Sequence, residues 1–244
     1  MFKFKKYKFN LFFLISLLII QSIYISIPKA KYMDSPDEIS NKKIVYLTFD
    51  DGPTIITGKL LDTLKKYNVK ATFFVVGKEI DEREDLLKRI YKEGHSIGLH
   101  TFSHNFKKIY KDEDTFLQEM LHTQNKIKEV TGINTNLIRF PGGSSKHLNT
   151  EMLEKLHKNN LKVYDWNVCI DDGVNPHLPV NQLVKKAKKC KLEDDKVIIL
   201  MHCNSNNINT IKALPQIISY YRNNGYKIEP ITNMTPEYHY KIKK

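Results

Sequence analysis

At 244 residues and 41% hydrophobic content, the chain is long enough for one barrel-sized domain with a substantial core plus a short appendage, which excludes a disordered protein. Its net charge is +12, but six lysines and no acids fall in residues 1–31, so the remainder carries only half of that charge. So mild a positive surface, with no dense basic patch or recognition motif, excludes nucleic acid as partner and suits an anionic polymer.

In chain order, Lys3, Lys5, Lys6 and Lys8 precede the uncharged run Leu11 to Ile27, which is interrupted only by Ser16, Gln21, Ser22 and Ser26. A basic start followed by an apolar stretch reads as an export segment over 1–31, either a signal peptide that is cleaved or an N-terminal membrane anchor. The rest is therefore expected outside the cell membrane, facing the cell wall if anchored and secreted if cleaved. Residues 32–42 are polar and aperiodic, a linker, and the domain spans 43–244.

Within it, short β-branched or aromatic runs alternate with stretches of helical period, which predicts a parallel α/β fold. Seven strands are expected at Ile44–Phe49, Ala71–Val76, Ser96–Leu99, Leu137–Phe140, Lys162–Val168, Val197–Met201 and Lys227–Ile231. Helices fit between them at Gly58–Tyr67, Glu82–Lys92, Thr115–Val130, Thr150–Asn159, Val180–Lys189 and Ile211–Arg222, with Gly94, Gly132 and Gly225 as stop signals. Three scattered cysteines, Cys169, Cys190 and Cys203, do not make a disulfide framework or a zinc knuckle, although one bridge between Cys169 and Cys203 is conceivable.

The polar residues carry the chemistry. Asp50, His100, Arg139, Asp172 and His202 all fall at or just beyond the carboxyl ends of predicted strands, the face where α/β barrels build active sites. Asp50 and Asp51 stand side by side at the end of a buried strand, pinned by Gly52-Pro53, and need compensating positive charge. A divalent metal would supply it, and His100 and His104, four apart and able to face one way in a helical turn, would complete a set with open positions for water and substrate.

Taken together, the motifs resemble the polysaccharide deacetylases, the NodB-type domain of carbohydrate esterase family four, over about Lys43 to Met234. Thr48-Phe49-Asp50-Asp51-Gly52 matches the first motif, and the resemblance makes Asp50 the general base and Asp51 a metal ligand. His100-Thr101-x-x-His104 supplies the other two ligands. Arg139-Phe140-Pro141-Gly142-Gly143-Ser144 resembles the third motif, with Arg139 orienting Asp50 and the Gly142 N–H holding the oxyanion; many members have Tyr where Gly142 stands, so a groove wall is missing. The fourth motif, Asp-x-x-Asp-Trp, falls on Cys169-Ile170-Asp171-Asp172-Gly173 and retains only Asp172, which inherits the orienting of the catalytic histidine, with Asp165 as the rival. Leu200-Met201-His202 matches the fifth motif, His202 being the general acid and Leu200 a wall of the acetyl pocket.

The resemblance implies a distorted (β/α) barrel of about seven parallel strands and a metal-dependent hydrolase that removes N-acetyl groups from a cell-surface polysaccharide. Zn²⁺ suits the ligand set, and Co²⁺ or Ni²⁺ would also fit. Peptidoglycan N-acetylglucosamine is the expected substrate, with chitooligosaccharides, acetylated xylan, or a glycan-binding relative without turnover as alternatives.

Overall fold

The computed structural model describes residues 43–190 and 194–242. The export segment and linker expected over 1–42 lie outside the described residues, and among the described residues no helix is long and apolar enough to cross a membrane.

Eight strands form one parallel sheet: β1 (Ile44–Gly52), β2 (Thr72–Val75), β3 (Ser96–Leu99), β4 (Leu137–Ile138), β5 (Lys162–Val163), β6 (Val168–Cys169), β7 (Lys196–His202) and β8 (Lys227–Ile228). Seven run in the order β5-β4-β3-β2-β1-β7-β6, while β8 pairs with the first residues of β1, Ile44 and Val45. β2 takes over along β1 from Thr48. The helices are α1 (Thr57–Lys66), α2 (Glu84–Lys92), α3 (Phe106–Ile109), α4 (Glu113–Thr131), α5 (Thr150–Lys158), α6 (Val180–Ala187) and α7 (Ile208–Asn223).

Local signals explain several ends. Asp112 caps α4 by accepting from the Thr115 N–H at 2.7 Å, Asn149 caps α5 by accepting from Met152 at 2.7 Å, and Gly132 closes α4 at φ 77°. α3 was not anticipated: at four residues it is too short for a periodic signal, and Asn105 starts it by accepting from the Lys108 N–H.

The two-residue alternation of the strands divides the core. Val45, Leu47 and Phe49 of β1 pack outward with Leu60, Leu61 and Leu64 of α1 and the other helices. The residues between them face a second, smaller cluster on the inner side, where Tyr46 meets Phe74, Leu137, Tyr164, Ile198 and Ile231. Each large apolar side chain so buried contributes about 1.5–3 kcal/mol against exposure.

One expectation needs correction. The strand anticipated at Lys162–Val168 is two short strands at opposite ends of the strand order, because residues 164–167 leave the ladder. Arg139 takes the Tyr164 carbonyl with Nε at 2.7 Å and the Asp165 carbonyl with Nη2 at 3.2 Å, while the Asp165 N–H donates to Tyr238 at 2.7 Å. Backbone groups committed in this way cannot pair with a neighbouring strand. The barrel therefore stays open between β5 and β6, with Tyr164 bridging to Tyr238 of the carboxyl-terminal segment.

Candidate active site

Parallel register sets the first pair of catalytic candidates. β1 and β7 align Thr48 with Leu200 and Asp50 with His202, so all four side chains face the inside of the open barrel.

A regular strand would then send Asp51 to the opposite face. Instead the β1–β2 register shifts between Asp50 and Gly52, and Asp51 adopts φ 73°. This bulge turns both carboxylates toward one site, at a backbone cost that a non-glycine residue bears only when its surroundings enforce it.

Asp51 Oδ1 lies 3.4 Å from His100 Nε2 and 3.2 Å from His104 Nε2, and all three atoms converge. The two histidines do not share a helical turn as their spacing suggested. They flank an irregular loop in which Thr101 and His104 both have positive φ, 63° and 51°, and these two left-handed residues fold the chain back on itself. His100 Nδ1 sits 2.9 Å from the Arg139 carbonyl, which can only accept; Nδ1 therefore carries the proton, and Nε2 offers a lone pair.

Burial opposes the charge of Asp51, but its contact with His100 and the positive charge of His100, His104 and His202 outweigh that and hold the carboxyl far below its usual range. Burial, reinforced by His100, meanwhile lowers His104 and favours its neutral form. These two tendencies compete, since a neutral His104 cannot neutralise Asp51. A cation would relieve the competition, and Asp51 Oδ1 is buried without a hydrogen-bond partner where the two imidazole Nε2 atoms converge on it. The residues present fit a divalent metal.

Asp50 is 2% exposed and accepts from Arg139 Nη1 at 2.9 Å. Arg139, itself fully buried, also donates to Thr48 Oγ1 at 2.6 Å, and its guanidinium lies 4.2 Å over the Phe74 ring. With the two carbonyls already named, four of its five N–H donors are engaged.

On the other side His202 Nδ1 lies 2.8 Å from Asp172 Oδ1, while Asp172 Oδ2 accepts from the His202 N–H at 2.8 Å and from Thr210 Oγ1 at 2.7 Å. Burial works against the imidazolium, yet the bond to and charge of Asp172, joined by Asp50 and Asp51, push the His202 pKa up to about 9. Asp165, the sequence rival, faces away: its carboxylate accepts from the Ser144 N–H at 3.0 Å, the Tyr240 N–H at 2.9 Å and the Ser144 hydroxyl. Asp171 turns to Lys186, 2.5 Å away. The three cysteines are free; Cys203 is buried beside Thr57 while Cys169 lines the cleft, so the conceivable bridge between them does not form.

Asp50, Asp51, His100, His104 and His202 line one cleft of about 400 Å³, with Leu200 and Gly142 in its wall. Among the described residues the Gly142 N–H has no acceptor, since the turn is closed by Gly143 donating to Phe140 at 2.8 Å.

Residues 37–164, just over half of the chain, match the family model described as polysaccharide deacetylase. The chain belongs to that family. Among curated members, the deacetylase chain is 36% identical over 191 residues to a peptidoglycan-N-acetylglucosamine deacetylase of Bacillus cereus, matching 77% of this chain and 69% of the relative. It is 34% identical to the putative polysaccharide deacetylase YheN of Bacillus subtilis, matching 75% of this chain and 65% of that protein. Among solved structures, the catalytic domain of peptidoglycan N-acetylglucosamine deacetylase from Eubacterium rectale superposes with a TM-score of 0.75 at 33% identity, over 83% of this chain and 94% of that one.

The structure also brings to the deacetylase site residues that its motifs do not mark. Asn204 donates to Asp51 Oδ2 at 2.7 Å; in sequence it stands only in an Asn-rich loop. Trp166 lines the cleft, although it precedes the eroded fourth motif rather than ending it. Gly173 lies flat against the imidazole, where a β-carbon would come within 2.4 Å of His202. Glu119, 5% exposed, accepts from the Phe102 and Ser103 N–H groups at 3.0 and 2.6 Å and so holds the histidine loop from behind. An acid on the face of α4 that also carries Phe116 and Met120 was the available signal for it.

Proposed function

We propose that this deacetylase hydrolyses the N-acetyl group of N-acetylglucosamine in peptidoglycan, releasing acetate and leaving a free amine. The observation that carries the reading is the convergent trio Asp51, His100 and His104 flanked by two ion-paired groups, Asp50–Arg139 and His202–Asp172. The named relatives of Bacillus cereus and Eubacterium rectale support the choice of glycan.

A divalent cation held by Asp51, His100 and His104, Zn²⁺ by the hardness and number of these ligands, would polarise the acetyl carbonyl and make water more acidic. Asp50 takes a proton from the attacking water, its carboxylate aimed by Arg139. The oxygen that becomes negative in the transition state accepts from the Gly142 N–H, which has no other partner to give up. The C–N bond breaks as His202 donates its proton to the departing nitrogen. Asp172 keeps that imidazole protonated near neutral pH, because a pKa of about 9 leaves the acid form dominant there. Water and amide are consumed, acetate and amine appear, and Asp50 is left holding the water's proton while His202 has lost its own; proton exchange with solvent resets both. The reading includes export by residues 1–31, which cell fractionation would test.

The test is acetate release by the full-length protein supplied with Zn²⁺, on peptidoglycan and on chitin oligomers, beside Asp50→Asn and a chelated sample. Release from peptidoglycan that is lost in both controls is expected. Release from chitin oligomers alone would discard the cell-wall substrate, and glycan binding without release from either would discard the enzyme.

A further inference from the structure

Phe106 is 49% exposed at the mouth of the catalytic cleft. Isolated apolar side chains on a surface are ordinary, but this one is fixed in place. Its ring makes an edge contact with His104, centroids 5.5 Å apart at 85°, and another with Tyr110, 5.8 Å at 67°. Tyr110 is anchored in turn by its hydroxyl on the Pro141 carbonyl at 2.5 Å and by a stack on His147 at 3.4 Å. The ring also leans over Gly142: a β-carbon there would lie 3.1 Å from the Phe106 ring edge, and Gly142 sits at φ 75°. No side chain can rise from position 142 without displacing the ring, so Phe106 occupies the wall beside the unpaired Gly142 N–H. Across the same cleft the rim carries Val174, 88% exposed.

A rigid, uncovered aromatic ring held over a hydrogen-bond donor and facing a catalytic cleft suits a ligand with one flat C–H face and a carbonyl nearby. An N-acetylated pyranose has both. We propose that Phe106 is the specificity-determining residue of this site: it packs against the C–H face of the sugar ring that bears the acetamido group and delivers the acetyl carbonyl to Gly142. The proposal rests on the deacetylase reading above and adds to it how the sugar ring is held.

The experiment compares kcat and KM of wild type, Phe106→Ala and Phe106→Tyr, each full-length with Zn²⁺, on N-acetylglucosamine oligomers and on 4-nitrophenyl acetate, an acetyl ester without a sugar. For Phe106→Ala, KM on the oligomers should rise about tenfold, with kcat falling far less, and the oligomer-to-ester ratio of kcat/KM should drop by a similar factor. Phe106→Tyr, which keeps the ring, should restore most of both. A Phe106→Ala enzyme with unaltered oligomer KM overturns the proposal alone. Equal losses on oligomer and ester also overturn it, because the ring would then act through His104. A wild type that cleaves the ester but no glycan overturns the deacetylase substrate and this proposal together.

Discussion

Replacing Asp172 by Asn tests the acid half of the site most directly. In the native protein burial opposes the imidazolium, but Asp172, joined by Asp50 and Asp51, overcomes it and pushes the His202 pKa from the ordinary 6.5 up to about 9, which corresponds to about 3 kcal/mol of preference for the imidazolium. Asp172 does most to stabilise it, through the 2.8 Å bond to Nδ1 and through charge. Asn keeps the shape and removes the charge, so the His202 pKa should fall back toward 6.5. At pH 7.5 the protonated fraction then drops from nearly all to about one tenth, and kcat should fall about tenfold from ionisation alone. The alkaline limb of the kcat–pH profile should move down from about pH 9 by about two units. Stability carries the same sign: because the folded pKa is raised, the pair's contribution is fully present below pH 6.5 and is lost as pH rises through about 9. Thermal melts of wild type should therefore weaken over that window and those of Asp172→Asn should not. A variant that loses activity while its alkaline limb stays in place would refute the argument, leaving Asp172 a packing residue.

Three further outcomes follow from other contacts. Arg139→Met leaves the Asp50 carboxylate buried without its partner and should cost about 3–5 kcal/mol in denaturant unfolding; a loss below 1 kcal/mol would contradict the role given to this ion pair. Gly173→Ala drives a methyl into the His202 ring and should lower kcat about 100-fold while metal binding, measured by chelator competition, stays near wild type. Glu119→Gln loses the charge that holds two N–H groups of the histidine loop and Lys108, and should weaken metal affinity about 10–100-fold by the same competition, whereas an unchanged affinity would show that the loop holds itself.

Sequence was sufficient where a single rule governed. The outward and inward faces of β1 follow from its alternation, and the resemblance in motifs singled out Asp50, Asp51, His100, His104, Arg139 and His202, which the structure gathers in and behind one cleft. It fell short where backbone and side chains negotiate at a distance. Residues 164–167 read as strand because Val163, Tyr164, Trp166 and Val168 are strand formers, but a guanidinium 25 residues upstream claims their carbonyls. The pairing of His100 with His104 was legible, but its cause, two left-handed residues in a loop, was not. Between Asp165 and Asp172 the eroded fourth motif favoured Asp172 and kept Asp165 as a rival; the 2.8 Å bond from Asp172 to His202 Nδ1, with Asp165 turned to Ser144 and Tyr240, shows which carboxylate meets the histidine.

That register has a consequence for how the enzyme can change. Residues from β1 through β4 bring the base and the lone-pair trio, while Asp172 and His202 belong to the later part of the chain, and β1 alongside β7 is where the two meet. Spacing between proton taker and proton giver is thus quantised rather than continuously adjustable: a slip of one residue in β7 would put Met201 or Cys203 opposite Asp50 and send His202 to the helical side. Adaptation to a new acetylated glycan would be confined to rim positions such as 106 and 174, while the spacing between Asp50 and His202 stays locked by hydrogen bonds that carry no side-chain identity at all.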